Sequence, residues 1–370
     1  MIIDVNKNQL IEPLKNITGV SEQNQSMPVL GNLLFRVQGG SLLLVASDLE
    51  VEISYSGEIS NSSDFETTVP SRKFFDILKS LDSDHAKLEF SESKVIIKGG
   101  KSKFTVSTLP ADTFPYKDKK PESHDHKISI GALEQLISAT SFSMGHQDAR
   151  HFLNGLFFEI TDSQITTVAT DGHRLAMAKI KQENTANETK TCIIPRKCIV
   201  ELKKILSTFS DNKEKLTEFS INDKELSLKI ENYTLTSKLV EGNYPDYKKV
   251  FPESLPNALT VNKQGLKLAL QRMSILSSEQ YKGVKLNINE TELRLSATNP
   301  MQEQGEDTIP CHYTGEQIEV GFNLNYIIEV IDAINSEELT IMLNTADSGC
   351  LISSEKDEAN GKYIIMPMRI

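Results

Sequence analysis

Apolar positions recur at helical spacing at the start of three similar segments of the chain. Leu10, Leu14 and Ile17 do so after Asn6, Leu133, Leu136 and Ile137 after Gly131, and Leu266, Ala269, Leu270 and Met273 after Asn262. Each set falls on one face of an amphipathic helix. A second helix is predicted in each segment, from Pro70, Pro195 and Asn323. Proline suits the first two starts, where a backbone N–H is not needed. Between the helices the pattern changes to period two or to short apolar runs, so 41–46, 94–98, 225–230 and 292–296 read as strands. Turn residues at 38–40, 99–100 and 222–224 make hairpins of their neighbours. Asp48, Asp171 and Asn299 each follow a strand-like run, about 125 residues apart. That period far exceeds a solenoid repeat, so each copy can bury its own core.

Two helices and several antiparallel strands per copy predict an α+β fold of three similar domains, bounded at 1–122, 123–254 and 255–370. With 370 residues, 38% of them hydrophobic, there is material for three cores. No run approaches the roughly 18 apolar residues of a membrane helix, and the first residues lack the basic and apolar parts of a secretory signal. A cytoplasmic location is expected. Cys192, Cys198, Cys311 and Cys350 form no Cys-x-x-Cys pair and read as unbridged residues. His124 and His126 lie in a polar, linker-like stretch with no third or fourth ligand nearby, so neither a metal nor a cofactor is expected.

Asp171, His173 and Arg174 set a carboxylate, an imidazole and a guanidinium side by side, which are ingredients of acid–base chemistry. The other copies carry Asp48-Leu49-Glu50 and Asn299-Pro300-Met301 at that place, so a turn that bonds its own backbone is the favoured reading. No Walker loop, GxGxxG or GxSxG motif occurs, and an enzyme is not expected. The net charge of −11 argues against a protein that simply coats nucleic acid. Its distribution is uneven, however. Arg196, Lys197, Lys203 and Lys204 face only Glu201 on one predicted helix, and Lys263, Lys267 and Arg272 face no acid on another. The six helices together carry +6 and the rest of the chain −17, which predicts a segregated positive field.

Several segments carry a family resemblance. ThrValProSerArgLysPhePheAspIle (68–77), MetProValLeuGlyAsnLeuLeu (27–34), PheSerMetGlyHisGlnAspAlaArgHisPheLeuAsnGly (142–155), ValAlaThrAspGlyHisArgLeuAla (168–176), SerLysLeuValGluGlyAsnTyrProAspTyr (237–247) and TyrIleIleMetProMetArgIle (363–370) resemble the bacterial DNA polymerase III beta subunit, the sliding-clamp family. The likeness runs from end to end. It implies three domains per chain and a ring-forming head-to-tail homodimer, with helices lining the hole and sheets outside. Duplex DNA would thread the ring and be held by phosphate contacts that read no sequence. Candidates for those contacts are the helix cations Arg196, Lys197, Lys203, Lys204, Lys263, Lys267 and Arg272, to which the resemblance adds Gln147, His151, Phe152, Tyr281 and Lys282.

The resemblance also implies a pocket between the second and third domains. There the DNA polymerase III catalytic subunit, the clamp loader, other polymerases and mismatch-repair proteins would insert a short apolar motif. Mapped by motif, it would use Leu153, Thr170, Gly172, His173, Arg174, Leu175, Pro245, Lys249, Val250, Asn323, Tyr326, Ile364, Met366, Pro367, Met368, Arg369 and Ile370. Methionines adapt to varied ligands, and an arginine can hold a ligand carboxylate or carbonyl. The implied dimer junction uses Lys73, Phe104, Val106, Ile275 and Leu276, with Lys101 and Lys103 opposite Glu303 and Glu306. Lys249 and Asn24 stand where relatives carry arginine, and Val106 where leucine is usual. A protein scaffold without DNA is the alternative, and it predicts behaviour indifferent to salt.

Overall fold

A computed structural model describes residues 1–21, 26–60, 63–116, 126–182, 189–252, 254–276 and 282–369. Asn24, His124, Tyr281, Ile370 and the expected junction at 122–123 lie outside the described residues.

One element order occurs three times. The first repeat runs β1 (Ile2–Asn6), α1 (Asn8–Ile17), β2 (Asn32–Gln38), β3 (Ser41–Ser47), β4 (Val51–Glu58), β5 (Phe65–Pro70), α2 (Ser71–Ser80), β6 (His85–Phe90), β7 (Lys94–Gly99) and β8 (Ser102–Ser107). The middle repeat runs β9 (His126–Ser129), α3 (Ile130–Thr140), β10 (Gly155–Ile160), β11 (Gln164–Thr170), β12 (Arg174–Lys181), β13 (Lys190–Pro195), α4 (Arg196–Ser207), β14 (Leu216–Ile221), β15 (Glu225–Ile230) and β16 (Tyr233–Lys238). The third runs β17 (Asn257–Asn262), α5 (Lys263–Ser274), β18 (Gly283–Ile288), β19 (Glu292–Thr298), β20 (Gln304–Tyr313), β21 (Ile318–Asn323), α6 (Leu324–Ala333), β22 (Glu338–Leu343), β23 (Cys350–Ser353) and β24 (Lys362–Ile365).

Local chemistry accounts for these boundaries. Pro70 and Pro195 end a strand immediately before a helix, while Asn262 and Asn323 cap α5 and α6 by accepting from the N–H groups of Gly265 (2.8 Å) and Asn325 (3.0 Å). Gly39 and Gly40, at φ 56° and 82°, make the two-residue β2–β3 turn that suits right-handed strand twist. Every residue named above for the predicted apolar helix faces is buried. In the third repeat Leu266, Leu270 and Met273 of α5 and Ile327, Val330 and Ile331 of α6 share one core with Val284, Leu286 and Ile288 of β18. In the first, Phe35 of β2 meets Phe74 of α2 edge-on, with ring centres 6.2 Å apart.

All strand pairs are antiparallel, in sheets ordered β1-β6-β7-β8, β5-β2-β3-β4-β16-β15-β14-β9 and β13-β10-β11-β12-β24-β23-β22-β17-β20-β19-β18-β21. The last strand of one repeat thus pairs with the fourth strand of the repeat before it: β16 with β4, and β24 with β12. Two compact units result, one of residues 1–131 with 197–239 and one of 132–196 with 240–370. Each sheet lies within one unit, so sheet continuity divides the middle repeat between them. Among the described residues β8 pairs only with β7, and the Gln304–Pro310 part of β20 pairs only with β19.

Candidate functional site

The loop after β11 bonds its own backbone. Asp171 Oδ1 accepts from the N–H groups of His173 (2.9 Å) and Arg174 (3.1 Å). Thr170 Oγ1 donates to the Arg174 carbonyl and accepts from Gly172 N–H. Asp48 receives the N–H groups of Glu50 and Val51, and Asn299 those of Met301 and Glu303, in the same manner. Three repeats share this carboxylate or amide because it caps a tight turn. In the middle repeat the turn has a further effect, since Gly172 at φ 89° lets the chain double back and brings His173 and Arg174 to the edge of a cavity.

That cavity, of about 270 Å³, lies within the second unit. Leu153, Thr170, Gly172, His173, Arg174, Leu175, Pro245, Val250, Ile364 and Met366, all expected from the sequence, line it together with Arg150, Phe152 and Tyr247. The β12–β24 register opposes Leu175 to Ile364, and Met366 N–H donates to the His173 carbonyl, which carries the final segment along the rim. Val250 and Met366 remain 37% and 46% exposed, an apolar mouth that a ligand could cover. Tyr247 was missed by motif mapping. One turn of tight helix from Tyr247 to Val250 puts these two residues on one side, a spacing that would have found it. Burial and the adjacent Glu159 carboxylate push the Tyr247 hydroxyl up to about 12.

The other expected pocket residues stand outside the cavity lining. Asn323 caps α6, Lys249 pairs with Asp246 at 3.3 Å, and Met368 N–H donates to the Gly321 carbonyl. Pro367 and Arg369 do not line the cavity either. Tyr326 lies under Arg174, whose guanidinium carbon is 4.2 Å from the ring centre. The Arg174 side chain is only 8% exposed and its guanidinium is occupied. Nε donates to Asp171 (3.0 Å), Nη2 to the Phe142 carbonyl (2.7 Å) and Nη1 to Glu329. The more exposed cation at the mouth is Arg150, held by both carboxylate oxygens of Asp148, whose pKa it lowers to about 2.

The helix cations are largely engaged. In the first unit Lys197 meets Asp48 at 2.5 Å and Lys204 meets Glu201 at 2.7 Å, while Lys203 is exposed. In the second unit Arg196 donates to the Met144 carbonyl, Lys263 to the Ile334 carbonyl, Lys267 to Asp332 on α6 and Arg272 to Asp307 on β20. Gln147, at φ 55°, and His151 are exposed, Lys282 is half-buried, and Phe152 belongs to the cavity wall. Phe104 on the β8 edge is 38% exposed and Ile275, at the end of α5, 79% exposed, and Leu276 packs against Gly305 of β20. Val106 lies on β8 beside Phe104, with Lys101 and Lys103 exposed there and Lys73 exposed on α2. Glu303 is bonded by Asn299, and Glu306 by Arg294. Among the described residues no three His, Cys, Asp or Glu side chains gather as a metal site.

Three family models match the chain in order: DNA polymerase III beta subunit, N-terminal domain over residues 1–118, central domain over 127–246 and C-terminal domain over 248–369. The beta sliding clamp of Haemophilus influenzae is 37% identical over 372 residues and that of Escherichia coli K12 34%, each covering 100% of both chains. The solved structure of a Pseudomonas aeruginosa sliding clamp bound to griselimycin superposes with a TM-score of 0.92 at 35% identity, again over 100% of both chains. The chain therefore belongs to the DNA polymerase III beta subunit family, the sliding clamps that tether a replicative polymerase to DNA.

Proposed function

We propose that two copies of this chain close head to tail into a ring of three-domain subunits, with domains at 1–122, 123–254 and 255–370, and that the cavity beside Arg174 receives short apolar peptide segments. The pairing rule of the sheets carries the ring. Wherever a repeat has a successor, its fourth strand takes the successor's last strand, as β4 takes β16 and β12 takes β24. The β20 edge of the third repeat and the β8 edge of the first are left as complementary termini, which a second copy can pair. Exposed Phe104 and Ile275 sit beside these edges, and Lys101 and Lys103 meet the Glu303 and Glu306 side in rim pairs that guide docking more than they hold it.

Topology then replaces tight binding. A closed ring needs only weak phosphate contacts, and cations already shared with Asp48, Glu201, Asp332 and Asp307 are suited to contacts that form and break as DNA slides. The subunit works without catalysis of its own, in the cytoplasm. The apolar lining of the cavity supports a peptide ligand, and a relative crystallised with griselimycin agrees with one. Candidate donors are the polymerase catalytic subunit, the clamp loader, other polymerases and mismatch-repair proteins. Removing residues 366–370 takes away Met366 and the final strand extension. It should abolish binding of a labelled apolar peptide in fluorescence anisotropy while the thermal transition is kept. Loaded protein should stay on circular DNA and run off the same DNA once linearised; equal loss from both would overturn the ring.

A further inference from the structure

We infer that Glu329 of α6 is a positioning residue that sets the chemical preference of the peptide cavity. The inference rests on the peptide-binding reading above. Arg174 lines the cavity, and a cation in an apolar pocket would ordinarily attract an acidic ligand group. Here all three guanidinium nitrogens have protein acceptors: Asp171, the Phe142 carbonyl and Glu329. Asp171 is fixed by the backbone of its own turn, and the carbonyl of Phe142 belongs to the main chain. Glu329, on α6 and outside the cavity lining, is the third acceptor and is itself 45% exposed. Together with the Tyr326 ring it holds the head of Arg174 against α6. Two carboxylates also offset the single positive charge. With Arg150, the other guanidinium of the lining, paired to Asp148, Glu329 withholds the Arg174 charge from the cavity, which leaves it selective for apolar side chains.

The test uses the full-length protein and two labelled peptides that differ only by leucine or glutamate at the inserted position. Wild-type protein should prefer leucine; failure to bind either peptide would sink the peptide-binding reading itself. Glu329→Ala frees Nη1, and losing one charged hydrogen bond should narrow the leucine-to-glutamate preference by about tenfold. Glu329→Gln, which keeps an acceptor but not the charge, should fall between. A preference ratio unchanged from wild type in both variants, whether or not overall affinity drops, would reduce Glu329 to a structural contact and overturn the inference. Unchanged thermal transitions in both variants exclude misfolding as the cause of a narrowed ratio.

Discussion

Leu49 and Gly172 occupy the same place in the turn of two repeats, and both have positive φ, 77° and 89°. Glycine adopts that region without penalty, whereas leucine strains against its own Cβ, and Leu49 is also 45% exposed. Leu49→Gly should raise stability by about 0.5–1 kcal/mol, because relief of that strain exceeds the extra freedom of glycine in the unfolded chain. Thermal unfolding checks this, and a lowered midpoint would count against it. The turn itself was legible from Asp48, Asp171 and Asn299, since a short side-chain acceptor after a strand carries its own mechanism. The occupancy of Arg174 was not. Two of its acceptors, Phe142 and Glu329, are 32 and 155 residues away, and no local pattern encodes such a meeting.

At the level of elements, the six helices and the repeat order follow from hydrophobic periodicity, because each apolar stripe has a single sheet face to cover. Charge was harder to interpret. The basic stretch on α4 suggested an open positive face, yet Lys204 is drawn to Glu201, a carboxylate 4% exposed on the same helix. Close packing against α1 explains the site. A Cβ on Gly19, just after α1, would stand 2.3 Å from Glu201 Oε2 and 2.7 Å from Lys204 Nζ, so an alanine there requires the ends of those two side chains to shift. Gly19→Ala should destabilise the protein by about 1 kcal/mol, the low end of the cost of overpacking, because the atoms it meets end side chains that can turn aside. A Gly19→Ala protein that melts at the wild-type temperature would show that the Glu201–Lys204 pair moves aside freely.

For the whole molecule, the sequence indicates three alike segments, whereas the sheets make two compact units, because β16 and β24 each cross to another repeat. Period and patterning report what each repeat contains; edge-to-edge partnership depends on which strand ends are free, and that is a property of the fold. If Ile275 covers the junction, Ile275→Glu should shift the protein from dimer to monomer in sedimentation, with an affinity loss of at least tenfold from burying a carboxylate. Its fold should be unaffected, since Ile275 is 79% exposed in the single chain.

The β8 and β20 edges belong to different strands, so the contact they make is heterologous. Pairing alone then sets no limit on how many copies join: a small change of twist per copy would give an open helical thread instead of a ring. Substitutions that alter sheet curvature far from either edge should accordingly reveal themselves as polymers of growing length, and a clamp can fail by over-assembling as readily as by falling apart.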